Sequence, residues 1–245
     1  EPARMYRQAK LEAGQAKLDI PYGEAERNKL DLFLPTGQPR GLVVFVHGGF
    51  WLRLDRSYWS HFARGPVEAG FAVAMPSYTL CPDIRISGIT AEVGAAIEKA
   101  AEMVEGSIRL IGHSAGGHLV TRMITTTSPL PQQVQVRVAH TVSLSGVHDL
   151  RPLMHTAMNA QLKIDRQEAW RESPALLEPM KGARLTCWVG ATERSEFLRQ
   201  NALLANLWKG LGAETEAVEE PDRHHFNILD GLTDPHHQLT ETLLS

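Results

Sequence analysis

The chain has 245 residues and a formal net charge of −3, a length that suits one large α/β domain over 1–245 and is short for two catalytic domains. Lys plus Arg (25) nearly balance Asp plus Glu (28) and no basic block stands out, so no nucleic-acid partner is expected. The longest apolar stretches, such as Leu42–Val46, fall far short of the roughly 20 residues that cross a bilayer, so no membrane partner is expected either.

In chain order, 17–20 and 29–34 alternate polar and apolar side chains, as an antiparallel sheet edge does, with Pro21-Tyr22-Gly23 turning between them. The β-branched runs 42–46, 71–75, 108–111, 138–144 and 185–189 read as buried strands, and 215–219 as a final one. Helices are expected over 57–69, 89–104, 117–126, 196–211 and 236–244. Alternating strands and helices predict a mostly parallel central sheet with helices on both faces. The stretch 149–181 is long for a crossover, and reads equally as a small cap or as a surface helical excursion.

Cys81 and Cys187 lie in different segments without C-x-x-C spacing, which points to neither a disulfide framework nor a zinc site. A reducing cytoplasm is the expected setting, although the chain starts Glu1-Pro2 without a methionine and leaves room for an upstream segment. His236 and His237 follow Pro235 with no carboxylate at ligand spacing and read as surface residues.

The chemistry concentrates in Gly112-His113-Ser114-Ala115-Gly116, which fits G-x-S-x-G. Where a serine tops a sharp strand-to-helix turn, the residues two before and two after must approach so closely that only glycine fits. A phosphate-binding glycine turn is the alternative, but neither G-x-G-x-x-G nor a Gly-Lys-Ser/Thr ending is present. A serine nucleophile needs a base, a group that orients the base, and donors for the oxyanion. The first core strand runs into His47-Gly48-Gly49-Phe50-Trp51, where α/β-hydrolases place backbone N–H groups beside the nucleophile; Gly49, Phe50 and Ala115 are assigned that task.

Two histidines, His224 and His225, compete as base after the last strand. His225 is preferred, because Phe226 and the apolar run after it should fix it by packing, while His224 should face solvent. For the acid, the loop after 185–189 offers Glu193, which preserves the order Ser…Glu…His; Asp149 competes from one strand earlier, and Glu196 and Asp222 are lesser choices. Trp51 and Trp59 flank the oxyanion loop and are expected either to line a substrate pocket or to anchor that loop. Trp188, Trp208 and Cys81 read as packing residues.

Together "KLDLFLP", "HGGFW", "YTLCPDIRI", "GHSAGG" and "HHFNIL" resemble the kynurenine formamidase (arylformamidase) branch of the α/β-hydrolases, near the hormone-sensitive-lipase-like esterases, from about Tyr22 to Leu232. The resemblance implies an α/β-hydrolase fold and cofactor-free hydrolysis of N-formyl-kynurenine by a serine, an acid and a histidine, carried onto Ser114 and His225. The chain departs from the family at the acid, with Glu193 in "GATERSEF" where an aspartate is usual, and at Phe50-Trp51, where the lipase-like relatives carry a third glycine. A general short-chain carboxylesterase and a non-catalytic binding protein on the same scaffold are the rival readings.

Overall fold

The computed structural model describes residues 1–245. Strands β1 (Ala16–Pro21), β2 (Lys29–Phe33), β3 (Leu42–Val46), β4 (Ala72–Pro76), β5 (Ile108–His113), β6 (Val138–Leu144), β7 (Arg184–Gly190) and β8 (Glu214–Glu220) form one sheet in the order β1-β2-β4-β3-β5-β6-β7-β8. The pairs β1–β2 and β2–β4 are antiparallel and every pairing from β4 to β8 is parallel, which is the α/β-hydrolase arrangement expected of the sequence. Its helices are α1 (Pro2–Glu12), α2 (Arg64–Glu68), α3 (Ile86–Met103), α4 (Ala115–Arg122), α5 (Gln132–Gln135), α6 (Asn159–Leu162), α7 (Arg166–Glu172), α8 (Ser195–Gly210) and α9 (Gln238–Leu244).

The two-residue period of a strand divides the core. Leu42, Val44 and Val46 of β3 face an apolar cluster completed by α3, α4 and α8, while Val43 and Phe45 face a second cluster closed by α1, α2 and α9. Because both faces are covered, β3 and β4 are buried at every residue, and an unbroken apolar run is the pattern such strands need.

Three local expectations are corrected. First, β2 does not alternate between wet and dry faces: Leu30 to Phe33 are all buried, because α1, which the sequence reading omitted, lies over that edge. Tyr6 of α1 packs on Phe33, and Arg7 reaches the buried Asp31 at 3.0 Å. With only Ala3 and Tyr6 buried, α1 carries too narrow an apolar stripe to announce itself. Second, 57–69 is not one helix but two 3-10 turns, Arg56–Tyr58 and Ser60–Ala63, followed by the short α2, which holds Pro66. A proline there lacks the N–H that a continuous helix would use. Third, α4 starts at Ala115, two residues earlier than the spacing suggested.

The segment 149–181 folds as the 3-10 turn Arg151–His155, α6, α7 and the turn Pro174–Leu176. Buried carboxylates of α7 fasten it to the core: Glu168 accepts from the Ser87 N–H at 2.8 Å, and Glu172 accepts from Thr90 at 2.8 Å and Arg122 at 3.1 Å.

Candidate active site

Ser114 stands between β5 and α4 at φ 55° and ψ −115°, a conformation that costs a non-glycine residue on the order of 1–3 kcal/mol. Steric room at this elbow is minimal: a Cβ on Gly112 would lie 2.1 Å from the Gly116 carbonyl oxygen, and one on Gly116 would lie 2.0 Å from that of Val46. Both glycines are therefore obligatory, as the G-x-S-x-G spacing predicts. Gly48 is just as constrained, since a Cβ there would meet the His113 carbonyl oxygen at 2.8 Å and Ser114 Cβ at 3.1 Å. This close approach lays the His47–Trp51 loop against the serine.

That loop is held by its own side chains. The His47 ring donates from Nδ1 to the Gly48 carbonyl at 2.7 Å and stacks on Tyr78 at 4.3 Å, whose hydroxyl donates to the His47 carbonyl at 2.9 Å. Phe50 and Trp51 both take left-handed φ values, 59° and 60°, and the N–H groups of Gly49 and Phe50 donate to no acceptor in the protein.

Glu193 and His225 meet although their loops lie 32 residues apart. The bridge is backbone contact: Thr192 donates both its N–H (3.0 Å) and its hydroxyl (2.7 Å) to the Arg223 carbonyl. Glu193 Oε2 accepts from His225 Nδ1 at 2.7 Å, while Oε1 accepts from the Ser145 hydroxyl at 2.5 Å and from the Gly190 N–H at 3.0 Å. The carboxylate thus folds back on its own loop, which absorbs the methylene that distinguishes it from aspartate. Burial favours the neutral acid, but the donors His225, Ser145 and Gly190 outweigh it and hold the Glu193 carboxyl below its usual range. An ionised Glu193 can only accept, so the His225 proton sits on Nδ1, and Nε2 is left free of protein partners.

His225 is further fixed by His113, whose Nε2–H donates to the His225 carbonyl at 2.8 Å, and by Phe197, whose ring centroid lies 4.3 Å away. Burial pushes the His113 imidazole down to about 3, so it stays neutral and keeps that donor role. The expectation that Phe226 would anchor His225 is corrected: Phe226 is 75% exposed, and the anchors on this loop are the buried Ile228 and Leu229 beyond it. His224 is exposed, as expected.

A cavity of about 160 Å³ opens beside Ser114, walled by Phe50, Trp51, Met158 and Phe197 among others, with Asp149, Glu196 and Gln200 as polar lining. Pro152, Leu153, Thr156 and Met158 also line it, so the segment 149–181 supplies one wall. Trp51 is there as expected, but Trp59 is not: its half-buried indole packs against Phe45, Phe62 and His113. Asp149 does not approach His225, because Arg151 takes both its oxygens at 2.9 Å. Glu196 is likewise paired with Arg199, at 2.7 Å, and Asp222 is exposed. Cys81 and Cys187 are buried free thiols that burial pushes up to about 11 and about 12, so neither supplies a thiolate. His237 departs from the surface role assigned to it, since its Nδ1 caps α9 by accepting from the Leu239 N–H at 3.1 Å.

Three contributors escaped the sequence reading: Ser145, His113 and Phe197. Only His113 carried a signal, its place beside the serine; Ser145 adopts φ 51° at the end of β6, and nothing in "SLSG" marks it as a partner of a residue 48 positions on.

The BD-FAE family model matches residues 30–184. Kynurenine formamidase of Salmo salar is 31% identical over 94% of this chain and 81% of its own length, and that of Danio rerio is 30% identical with the same coverage. The chain belongs to the kynurenine formamidase family of α/β-hydrolases. It is a hydrolase acting on amides or esters, in keeping with its family and fold. The structure of a provisionally assigned thioesterase from Silicibacter sp. TM1040 is 43% identical with a TM-score of 0.94, covering 100% of this chain and 90% of that one. Esterase B of Lactobacillus rhamnosis shares the fold, at 17% identity and a TM-score of 0.74 over 99% of this chain and 90% of its own. No helix is long and apolar enough to cross a membrane.

Proposed function

We propose that the chain is an arylformamidase that cleaves N-formyl-kynurenine to kynurenine and formate. Ser114 is the nucleophile, His225 the base and Glu193 the group that orients it, and no cofactor takes part. The reading rests above all on the 2.7 Å contact between Glu193 Oε2 and His225 Nδ1, which leaves Nε2 as the only imidazole nitrogen able to take a proton.

In the first half-reaction Ser114 Oγ attacks the formyl carbon as Nε2 removes its proton, and the carbonyl electrons move onto oxygen. The N–H groups of Gly49, Phe50 and Ala115 receive that oxyanion, and the first two are free to do so. Collapse expels the arylamine, which takes the proton from His225, and leaves a formyl ester on Ser114. Water then adds to the ester with His225 again as base, releasing formate. An aryl leaving group lowers the barrier, because its nitrogen lone pair is shared with the ring and resists attack less than an alkyl amide does. The two buried free thiols suit a reducing compartment such as the cytoplasm.

Labelling tests the mechanism. A fluorophosphonate should modify the protein once, on the peptide that holds Ser114, and a formanilide should compete with it. Labelling elsewhere, or none in a folded sample, would sink the assignment.

A further inference from the structure

Glu172, the last residue of α7, is a buried polar node outside the catalytic residues. Its carboxylate accepts from Thr90 of α3 at 2.8 Å and from Arg122 of α4 at 3.1 Å, and its carbonyl accepts from His118 Nε2 of α4 at 2.6 Å. None of these four side chains is more than 4% exposed. Ser114, which caps α4, and then His118 and Arg122 follow at intervals of four residues, so they share one face of that helix. The helix that begins at the nucleophile is therefore the one that grips α7. His118 also meets Trp51, a wall of the cavity, with the two rings nearly perpendicular and 5.3 Å between their centres.

From Glu172 the hold passes to another wall of the cavity. The next residue, Ser173, is fully buried; its hydroxyl accepts from the Leu150 N–H at 2.8 Å and donates to the Ala169 carbonyl at 2.6 Å. Ala175 donates its N–H to the His148 carbonyl at 3.0 Å. Leu150 leads into the turn Arg151–His155, whose Pro152 and Leu153 line the cavity, and Trp170 of α7 backs Arg151 of that turn at 5.7 Å. The wall built by 149–181 is thus tied, bond by bond, to the helix that starts at Ser114. Stability alone does not account for this node. Taking Arg122 and Glu172 out of water costs about what their attraction returns, and apolar side chains of similar size often hold a core as well. What the node supplies is direction: apolar surfaces slide over one another at little cost, whereas the bonds of Glu172 are all met in one placement of α7.

We infer that Glu172 is a positioning residue that sets the width of the cavity beside Ser114, and with it the acyl length that the site accepts. Glu172 touches no substrate. It acts through Ser173, Leu150 and the turn that carries Pro152 and Leu153. The inference rests on the proposed role of Ser114 as nucleophile, and it requires no particular leaving group.

The test compares kcat/KM for phenyl acetate and phenyl butyrate in the wild type, Glu172→Gln, Ser173→Ala and Val134→Ala. Val134 is a buried residue of α5 with no part in the node, so its truncation supplies a destabilised control. The wild type should favour the acetate by about tenfold or more. Glu172→Gln should shrink that preference by about fivefold or more, mainly through a lower KM for the butyrate, and Ser173→Ala should shrink it by about twofold or more. Val134→Ala should lower the melting temperature and leave the preference where it was. If Glu172→Gln does not fold, Ser173→Ala decides by the same criterion. A wild type without a preference, a preference that neither variant moves, or one that Val134→Ala moves as far, overturns the inference while leaving Ser114 as the nucleophile. A folded wild type that cleaves neither ester and resists a fluorophosphonate overturns the Ser114 reading, and the inference with it.

Discussion

Acidification should unfold this protein well before it titrates the carboxylates. His47, His113, His118 and His148 are all buried, and burial pushes their imidazoles down to about 4 for His47 and about 3 for the other three. In the unfolded chain each titrates near 6.5. Below pH 6.5 the unfolded state therefore binds protons that the native state refuses, and stability falls as the pH falls, until the native imidazoles themselves protonate near pH 3–4. At pH 5 the loss is about 2 kcal/mol per histidine, or about 8 kcal/mol for the four, against a typical total of roughly 5–15 kcal/mol. Urea unfolding followed by far-UV circular dichroism at pH 7.5 and pH 5.0 measures it. With a slope of about 3 kcal/mol per molar urea, the midpoint should drop by about 2–3 M. His148→Gln, which keeps a neutral side chain, should recover about 2 kcal/mol of the loss. A midpoint shift below about 0.5 M, or resonances assigned to His47, His113, His118 and His148 that titrate near 6.5 in the folded protein, would refute the reasoning.

Other expectations follow from the site. Glu193→Gln should lower kcat on phenyl acetate by on the order of 10³- to 10⁴-fold, because the amide no longer fixes the His225 tautomer, whereas Ser145→Ala should cost roughly tenfold. Ser145→Ala also removes one donor from the buried Glu193 carboxylate, so its Tm at pH 7.5 should fall by about 2–4 °C; an unchanged Tm would show that the 2.5 Å contact contributes nothing. Gly48→Ala should keep its circular dichroism spectrum yet lose at least tenfold in kcat, because the new methyl forces the oxyanion loop off Ser114 at a cost of roughly 1–3 kcal/mol. Across formyl, acetyl, butyryl and octanoyl esters of one phenol, kcat/KM should fall steeply, each excluded methylene costing about 1–3 kcal/mol in a cavity walled by Phe50, Trp51 and Met158; a faster octanoyl ester would show that the walls yield.

The sheet was legible because its information is local. Val, Ile and Leu runs bounded by glycine and polar turns mark buried parallel strands, and β3 and β6 fell on the expected residues. The elbow was legible for a steric reason, since glycines at fixed offsets leave few other conformations. What stayed hidden depends on contacts distant in sequence. Helix α1 is held by Arg7 reaching Asp31 of another element, and Trp59 turns inward because Phe45 and Phe62 offer it an apolar bed. The choice between Glu193 and Asp149 needed the same kind of knowledge, because Arg151 engages Asp149 two residues away while Ser145 and Gly190 converge on Glu193. A carboxylate's partners, not its position in chain order, tell the two apart.

The central claim is that Ser114 carries a formyl group from an arylamine to water. Its most direct test is the hydrolysis of N-formyl-kynurenine, followed by kynurenine absorbance, for the wild-type chain and Ser114→Ala side by side with circular dichroism on both. The account predicts a wild-type kcat/KM of about 10⁴ M⁻¹s⁻¹ or more and a folded Ser114→Ala protein at least 10³-fold slower. A folded Ser114→Ala protein within tenfold of wild type would contradict it.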